Sequence, residues 1–201
     1  MHVHKIVSGE FTSNSYIIHD GERSFVIDTN TTAKGILENI DSYDLPIPEF
    51  VIVTHGHFDH FGGAKYLSKK FNIPVYMHLN DVNLSKAANF SMMLLKLSER
   101  VQHTQFQSIE KSKNKLKEFG FEYIHAPGHT PGSIVILGDN KAFVGDLFTR
   151  KGLFLNHLPG ENREELQSSF VKLKKMLHPN TMIFPGHGKN FEIQSIESET
   201  F

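Results

Sequence analysis

Four potential metal ligands fall within six residues in His55-Gly56-His57-Phe58-Asp59-His60. His55 and His57 point the same way if the loop stays extended, because side chains alternate along extended backbone. Asp59 and His60 then lie past a bend. Imidazole and carboxylate suit zinc, iron, manganese or cobalt, and the absence of sulfur disfavours a structural zinc knot. Three further candidates stand in turn-rich settings: His129 within Ala126-Pro127-Gly128-His129-Thr130-Pro131-Gly132, Asp146 after Gly145, and His187 within Pro185-Gly186-His187-Gly188. Singly, each of these three reads as a turn or cap residue. All seven together can serve two ions if one carboxylate bridges them, and two divalent ions roughly 3.5–4 Å apart clamp a shared hydroxide. Such a hydroxide attacks an ester, thioester or lactone carbonyl, and the same ions stabilise the oxyanion that forms. The chain has no Cys nucleophile and no evident Ser-His-Asp pattern.

The surrounding pattern explains how seven separated residues could meet. Val3–Val7, Ser15–His19 and Ser24–Asp28 read as short strands broken by Gly9 and Asp20-Gly21. Phe50-Val51-Ile52-Val53-Thr54 reads as a strand buried on both faces. It runs straight into the His55 motif. Pro74–His78, Phe121–Ala126, Ser133–Leu137, Ala142–Val144 and Thr181–Phe184 read as further strands. Helical spacing appears over Ala33–Ile40, Ala64–Phe71 and Asn162–Leu177. One or two helices are expected in Asn80–Val101, within a helical insertion spanning about 80–110. The Lys111–Lys117 run is expected to be a solvated loop or strand edge. Apolar strand, then Gly or Pro, then His or Asp recurs at 51–60, 123–129, 142–146 and 182–187. Strand ends joined by Gly-rich turns are where an α/β scaffold holds its chemistry.

The 201 residues fit a single domain, 1–201, and a chain of this size hides roughly 70% of its surface on folding. With 39% hydrophobic and 21% charged residues it reads as globular, not disordered. Its 21 basic and 22 acidic residues nearly cancel, so no overall field attracts nucleic acid or an anionic membrane. No secretory signal and no membrane span is evident, and a cytoplasmic location is the default expectation.

The combined motifs, together with Asn14-x-Tyr16, Ile27-Asp28 and Leu158-Pro159-Gly160-Glu161, resemble the metallo-β-lactamase superfamily over about residues 3–190. Within it, they resemble the glyoxalase II-like branch (hydroxyacylglutathione hydrolases). That resemblance implies an αββα sandwich of two mixed β-sheets flanked by helices. It implies that His55, His57 and His129 hold one metal, that Asp59, His60 and His187 hold a second, and that Asp146 bridges. Zinc is the first expectation, with iron or manganese as alternatives. Asp59 would orient the hydroxide and shuttle its proton, and Asp28 would support a ligating histidine. The expected partner is a small acyl thioester or ester.

Two departures bear on substrate. The chain ends 14 residues after His187, so it resembles a compact form without the C-terminal helical region that grips glutathione. An arginine-containing motif expected before Leu158 is replaced by Leu155-Asn156-His157. Glutathione recognition is therefore not expected to carry over. Phe58, Phe148, Arg150 and Asn156 are the candidate substrate residues. The 80–110 helices either dock on the core, form an apolar lid carrying Phe90, Met92, Met93 and Leu94, or pair two subunits in a homodimer. Other chemistries share these ligands: a persulfide dioxygenase with one iron on His55, His129 and Asp146, a lactonase, or a nuclease or phosphodiesterase.

Overall fold

The computed structural model describes residues 1–98, 100–155 and 158–197. Six strands form the first sheet: β1 (His2–Ser8), β2 (Ser13–His19), β3 (Ser24–Ile27), β4 (Pro48–Ile52), β5 (Val75–Met77) and β6 (Gln107–Ser108), in that spatial order. The first three run antiparallel, and β3 through β6 run parallel. The second sheet holds β7 (Phe121–His125), β8 (Ile134–Gly138), β9 (Lys141–Gly145), β12 (Met182–Pro185) and β13 (Phe191–Glu192) in the order β13-β12-β9-β8-β7. Only β9 and β12 are parallel neighbours in it. A small hairpin, β10 (Phe148–Thr149) with β11 (Gly152–Leu153), stands apart.

The two-residue alternation of the strands sorts side chains into layers. Tyr16, Ile18, Phe25, Ile27, Phe50 and Ile52 face Ile134, Ile136, Phe143 and Phe184 between the sheets. Ile17, Val26, Val51, Val53 and Met77 point the other way, onto α1 (Lys34–Ser42), α2 (Phe58–Phe61) and α3 (Ala64–Phe71). Val135, Ala142, Val144 and Ile183 pack on Leu166, Phe170 and Leu173 of α7 (Arg163–Met176). The layers are therefore helix, sheet, sheet, helix. Strands this uniformly apolar are stable only when covered on both sides.

α7 is fixed at its start by Asn162, whose side chain accepts from the backbone N–H groups of Glu164 and Glu165 at 3.1 and 3.2 Å. Glu164 and Glu165 in its first turn and Lys174 and Lys175 in its last complement the helix dipole.

One expectation needs correction. The Lys111–Lys117 run is neither loop nor strand edge. It lies in a tight turn over Ile109–Ser112 followed by α6 (Lys113–Glu118). Leu116 sits in the inter-sheet core, and the lysines surround that one apolar anchor. The 80–110 segment carries the expected helices as α4 (Val82–Lys86) and α5 (Ala88–Leu94). Its end supplies β6, which pairs with β5. α5 docks through buried Ala88 and Met92, while Phe90, Met93 and Leu94 stay exposed.

Candidate metal centre

Five chain segments deliver side chains to one edge of the two sheets. β4 leads into His55, His57 and the short α2 carrying Asp59 and His60. The turn between β7 and β8 carries His129, β9 ends at Gly145 before Asp146, and β12 ends at Pro185 before His187. β3 ends before Asp28. The edge is sewn together by backbone bonds: Asp28 N–H to Ile52 at 2.9 Å, Ile134 N–H to Thr54 at 3.0 Å, and Gly186 N–H to Gly145 at 2.7 Å.

The seven residues converge. Three ligand groups form: His55 with His57 and His129; His55 with His60 and Asp146; and Asp59 with His60 and His187. Asp146 lies between them. Its Oδ2 is 3.3 Å from His187 Nε2, 3.7 Å from His129 Nε2 and 3.9 Å from His55 Nε2, and its Oδ1 is 3.4 Å from His60 Nε2. Asp59 Oδ2 is 3.3 Å from His187 Nε2 and 3.6 Å from His60 Nε2.

Whether a cation fits can be judged from the unsatisfied atoms. Nε2 of His55, His57 and His60, Nδ1 of His129 and Oδ1 of Asp146 are buried without a hydrogen-bond partner. Leaving that many polar atoms unpaired in one spot is costly. His129 Nε2 and His57 Nδ1 face each other at 3.0 Å, with room for one proton or for a shared cation. The donor set suits a divalent transition metal.

The electrostatics divide the ligands in two. Burial, with the neighbouring imidazoles of His60 and His129, pushes His55 well below the usual histidine range, and burial lowers His57 as well. Burial also lowers His129 to about 3. For His187 burial works in the same direction, but hydrogen bonds to Asp146 and Asp59 overcome it and raise the ring to about 9. His60 is likewise raised well above its ordinary value, because Asp146, Asp59 and Asp28 outweigh its burial. Burial would raise Asp146, yet the charge on His60 and the close approach of the His187 and His60 rings hold it well below the carboxylate range.

A supporting layer holds these groups still. Asp28 accepts from Thr54 N–H and Thr54 Oγ1, both at 2.8 Å, and its Oδ2 lies 2.9 Å from His60 Nδ1. Asp28 adopts φ +57°, a left-handed conformation uncommon outside glycine. Asn14 donates to the carbonyls of Pro185 and Gly188, and Tyr16 donates to Pro185, which anchors the His187 turn to β2. Gly128 lies against the first turn of α7, where a Cβ would overlap the Leu166 backbone. Asn162 N–H donates to Gly128 and Ser169 Oγ to Pro127, each at 2.7 Å, so α7 braces the His129 turn.

Two residues at the centre escaped the sequence reading. Asp81 is fully buried and accepts from Gly56 N–H at 2.8 Å, Thr130 Oγ1 at 2.6 Å and Gly132 N–H at 2.6 Å. It ties the His55–His57 turn to the His129 turn. The available signal was its place just after the Pro74–His78 strand, another carboxylate at a strand end. Phe154, after β11, stacks on His187 with ring centres 5.5 Å apart and lies 6.1 Å from His129. No sequence pattern marked it.

The expected substrate residues fare differently. Phe58 packs edge-on against Phe11 in the helix-side core, and Phe148 packs against Phe170 and Phe191 beneath α7. Rings enclosed in those layers are spent on packing and present no face to a ligand. Arg150 is exposed and pairs with Glu197 at 3.1 Å. Asn156 lies outside the described residues. No described helix is long and apolar enough to cross a membrane.

A family model described as the metallo-beta-lactamase superfamily matches residues 8–187. A "Probable metallo-hydrolase MJ0888" of Methanocaldococcus jannaschii is 29% identical, covering 89% of this chain and 89% of its own. "Hydroxyacylglutathione hydrolase GloC" of Haemophilus influenzae is 28% identical over 94% of this chain and 91% of its own. Among solved structures, TTHA1623 in a di-iron-bound form superposes with a TM-score of 0.86 at 29% identity, covering 96% of each chain.

Proposed function

Because the chain belongs to the metallo-beta-lactamase superfamily, we propose that it is a dinuclear metal hydrolase acting on a thioester or related acyl ester. The carrying observation is the set of buried imidazole and carboxylate atoms that meet at one sheet edge without partners of their own. The relative named as a hydroxyacylglutathione hydrolase and the di-iron neighbour favour the same reading.

In this reading His55, His57 and His129 would hold one divalent cation, Asp59, His60 and His187 would hold the other, and Asp146, lying among them, would serve both. Zinc is the first candidate, with iron or manganese as alternatives. Two such cations supply an activated water and a polarised substrate carbonyl at neutral pH. The protein does the rest. Asp59, within 3.6 Å of both His60 and His187, takes the proton of the attacking water and passes it toward the leaving group. Water oxygen bonds to the acyl carbon, the carbon–sulfur bond breaks, and the thiolate leaves with little need of acid help. Asp28 and Asp81 keep the ligands in register. Phe154 offers an aromatic wall beside His187 and His129 for the acyl or thiol portion.

The test is metal content per chain by elemental mass spectrometry on untagged protein, followed by a thioester, ester and lactone screen. About two ions per chain with thioester turnover is the expected result. One iron per chain, with dioxygen consumed on adding glutathione persulfide, would replace this reading with sulfur oxidation.

A further inference from the structure

Three histidines outside the metal centre gather at the opposite end of the first sheet. His2 and His4 are two residues apart on β1 and so share the face on which Ile6 meets the helix layer. His19 ends β2, is paired directly across from His2, and shares its face with Ile17. Ser13, at the other end of β2, bridges to His187, which puts the trio roughly 20 Å from that contact along the strand. The His2–His19 and His4–His19 ring centres are each 5.2 Å apart. Both ring nitrogens of His19 are buried and have no hydrogen-bond partner.

We propose that His2, His4 and His19 form a second site for a first-row divalent cation such as zinc, separate from the metal centre. Zinc–nitrogen bonds of about 2.0–2.1 Å in tetrahedral array place two imidazole centres roughly 5 Å apart. The His55, His57 and His129 rings sit at 4.7–4.9 Å by the same measure. The two trios differ in tilt: 86–88° between rings at the metal centre, against 29° and 42° here. The His2, His4 and His19 nitrogens do not yet converge as those of the metal centre do, so binding requires the exposed His2 ring and the half-exposed His4 ring, which leans on Tyr43 at 5.3 Å, to turn toward His19. Burial, with His4 and His2 nearby, lowers the His19 pKa and keeps that ring in its neutral, ligating form. Asp20, next in sequence, has its carboxylate committed to the Glu22 and Arg23 backbone N–H groups. An all-imidazole set selects zinc, nickel or copper over magnesium and calcium. Three donors leave a fourth position to solvent. A bound cation ties the start of β1 to the end of β2 and stabilises the fold by mass action.

The test compares untagged wild type with His4→Gln and His19→Ala, each loaded at the metal centre and then equilibrated with micromolar zinc. Wild type is expected to retain one more zinc per chain than either variant, whatever the centre itself holds. Its thermal midpoint should rise with added zinc, and that rise should vanish in His4→Gln, which leaves the core intact. Equal zinc content in wild type and His4→Gln overturns the proposal, as does an added zinc that both variants keep.

Discussion

His60 Nδ1 lies 2.9 Å from Asp28 Oδ2, which leaves Nε2 as the ring atom facing Asp59 and Asp146. The same carboxylate is held by the Thr54 N–H and hydroxyl, so it cannot swing away. A carboxylate on the far nitrogen fixes both tautomer and ring orientation. Asp28→Asn should therefore weaken cation retention at Asp59, His60 and His187 by roughly 10- to 100-fold. The His55, His57 and His129 group should lose much less. Competition with a chelator, read as two separate affinities, checks this. Equal losses at both groups would show that Asp28 acts on the fold at large.

Gly186 illustrates control without ligation. A Cβ there would collide with Asp146 Oδ1 and come within 2.8 Å of His60 Cε1. The first obstacle is a buried carboxylate already placed between four histidines. Gly186→Ala keeps all seven candidate ligands yet pushes Asp146 off its position. If the centre holds two cations as proposed, the expected outcome is loss of at least one of them per chain and a large fall in turnover. Far-ultraviolet circular dichroism should stay unchanged. Retention of both cations at wild-type affinity would mean that Asp146 has slack the geometry does not suggest.

The layers were legible because apolar strands announce burial on both faces, and the candidate ligand cluster because four of its members fall within six residues. What was not legible depends on contacts between distant segments. Asp81 is distant in sequence from Gly56, Thr130 and Gly132, and its place after a strand does not by itself tell it from a helix-capping aspartate. Phe58 and Phe148 adjoin candidate ligands in sequence, but their side chains turn into the core layers. Adjacency along the chain does not fix direction. The Lys111–Lys117 run misled because composition hides a single buried leucine.

Phe154 is the aromatic surface that the expected phenylalanines do not provide. It is half-buried, stacked on His187 and close to His129. Phe154→Ala removes apolar contact worth roughly 1–3 kcal/mol to a bound acyl or thiol group. KM for thioesters with bulky apolar groups should rise about 10-fold or more, with metal content unaltered. A KM unaffected across long and short acyl chains would place the substrate elsewhere.

The two ligand groups should also differ in their proton accounting. Without a cation, His187 has a pKa of about 9 and His60 lies well above its ordinary value, so both are protonated at neutral pH. His55, His57 and His129 are pushed the other way and are already neutral. A ligating imidazole must be deprotonated. Loading Asp59, His60 and His187 at pH 7 must then expel about two protons, and loading the other group close to none. The proton displaced from His187 alone should lower affinity at the first group about tenfold for each pH unit below about 9, and the one displaced from His60 steepens that fall. At the other group all three rings are lowered and add no such slope near neutral pH, and His129 itself adds none until the pH nears about 3. Isothermal titration of apo-protein with zinc, in buffers of differing ionisation heat, counts the protons directly. Two binding events with equal release would sink the asymmetry. A tight event releasing almost none, followed by one releasing about two, would show that carboxylates beside His60 and His187 decide the order in which the centre fills.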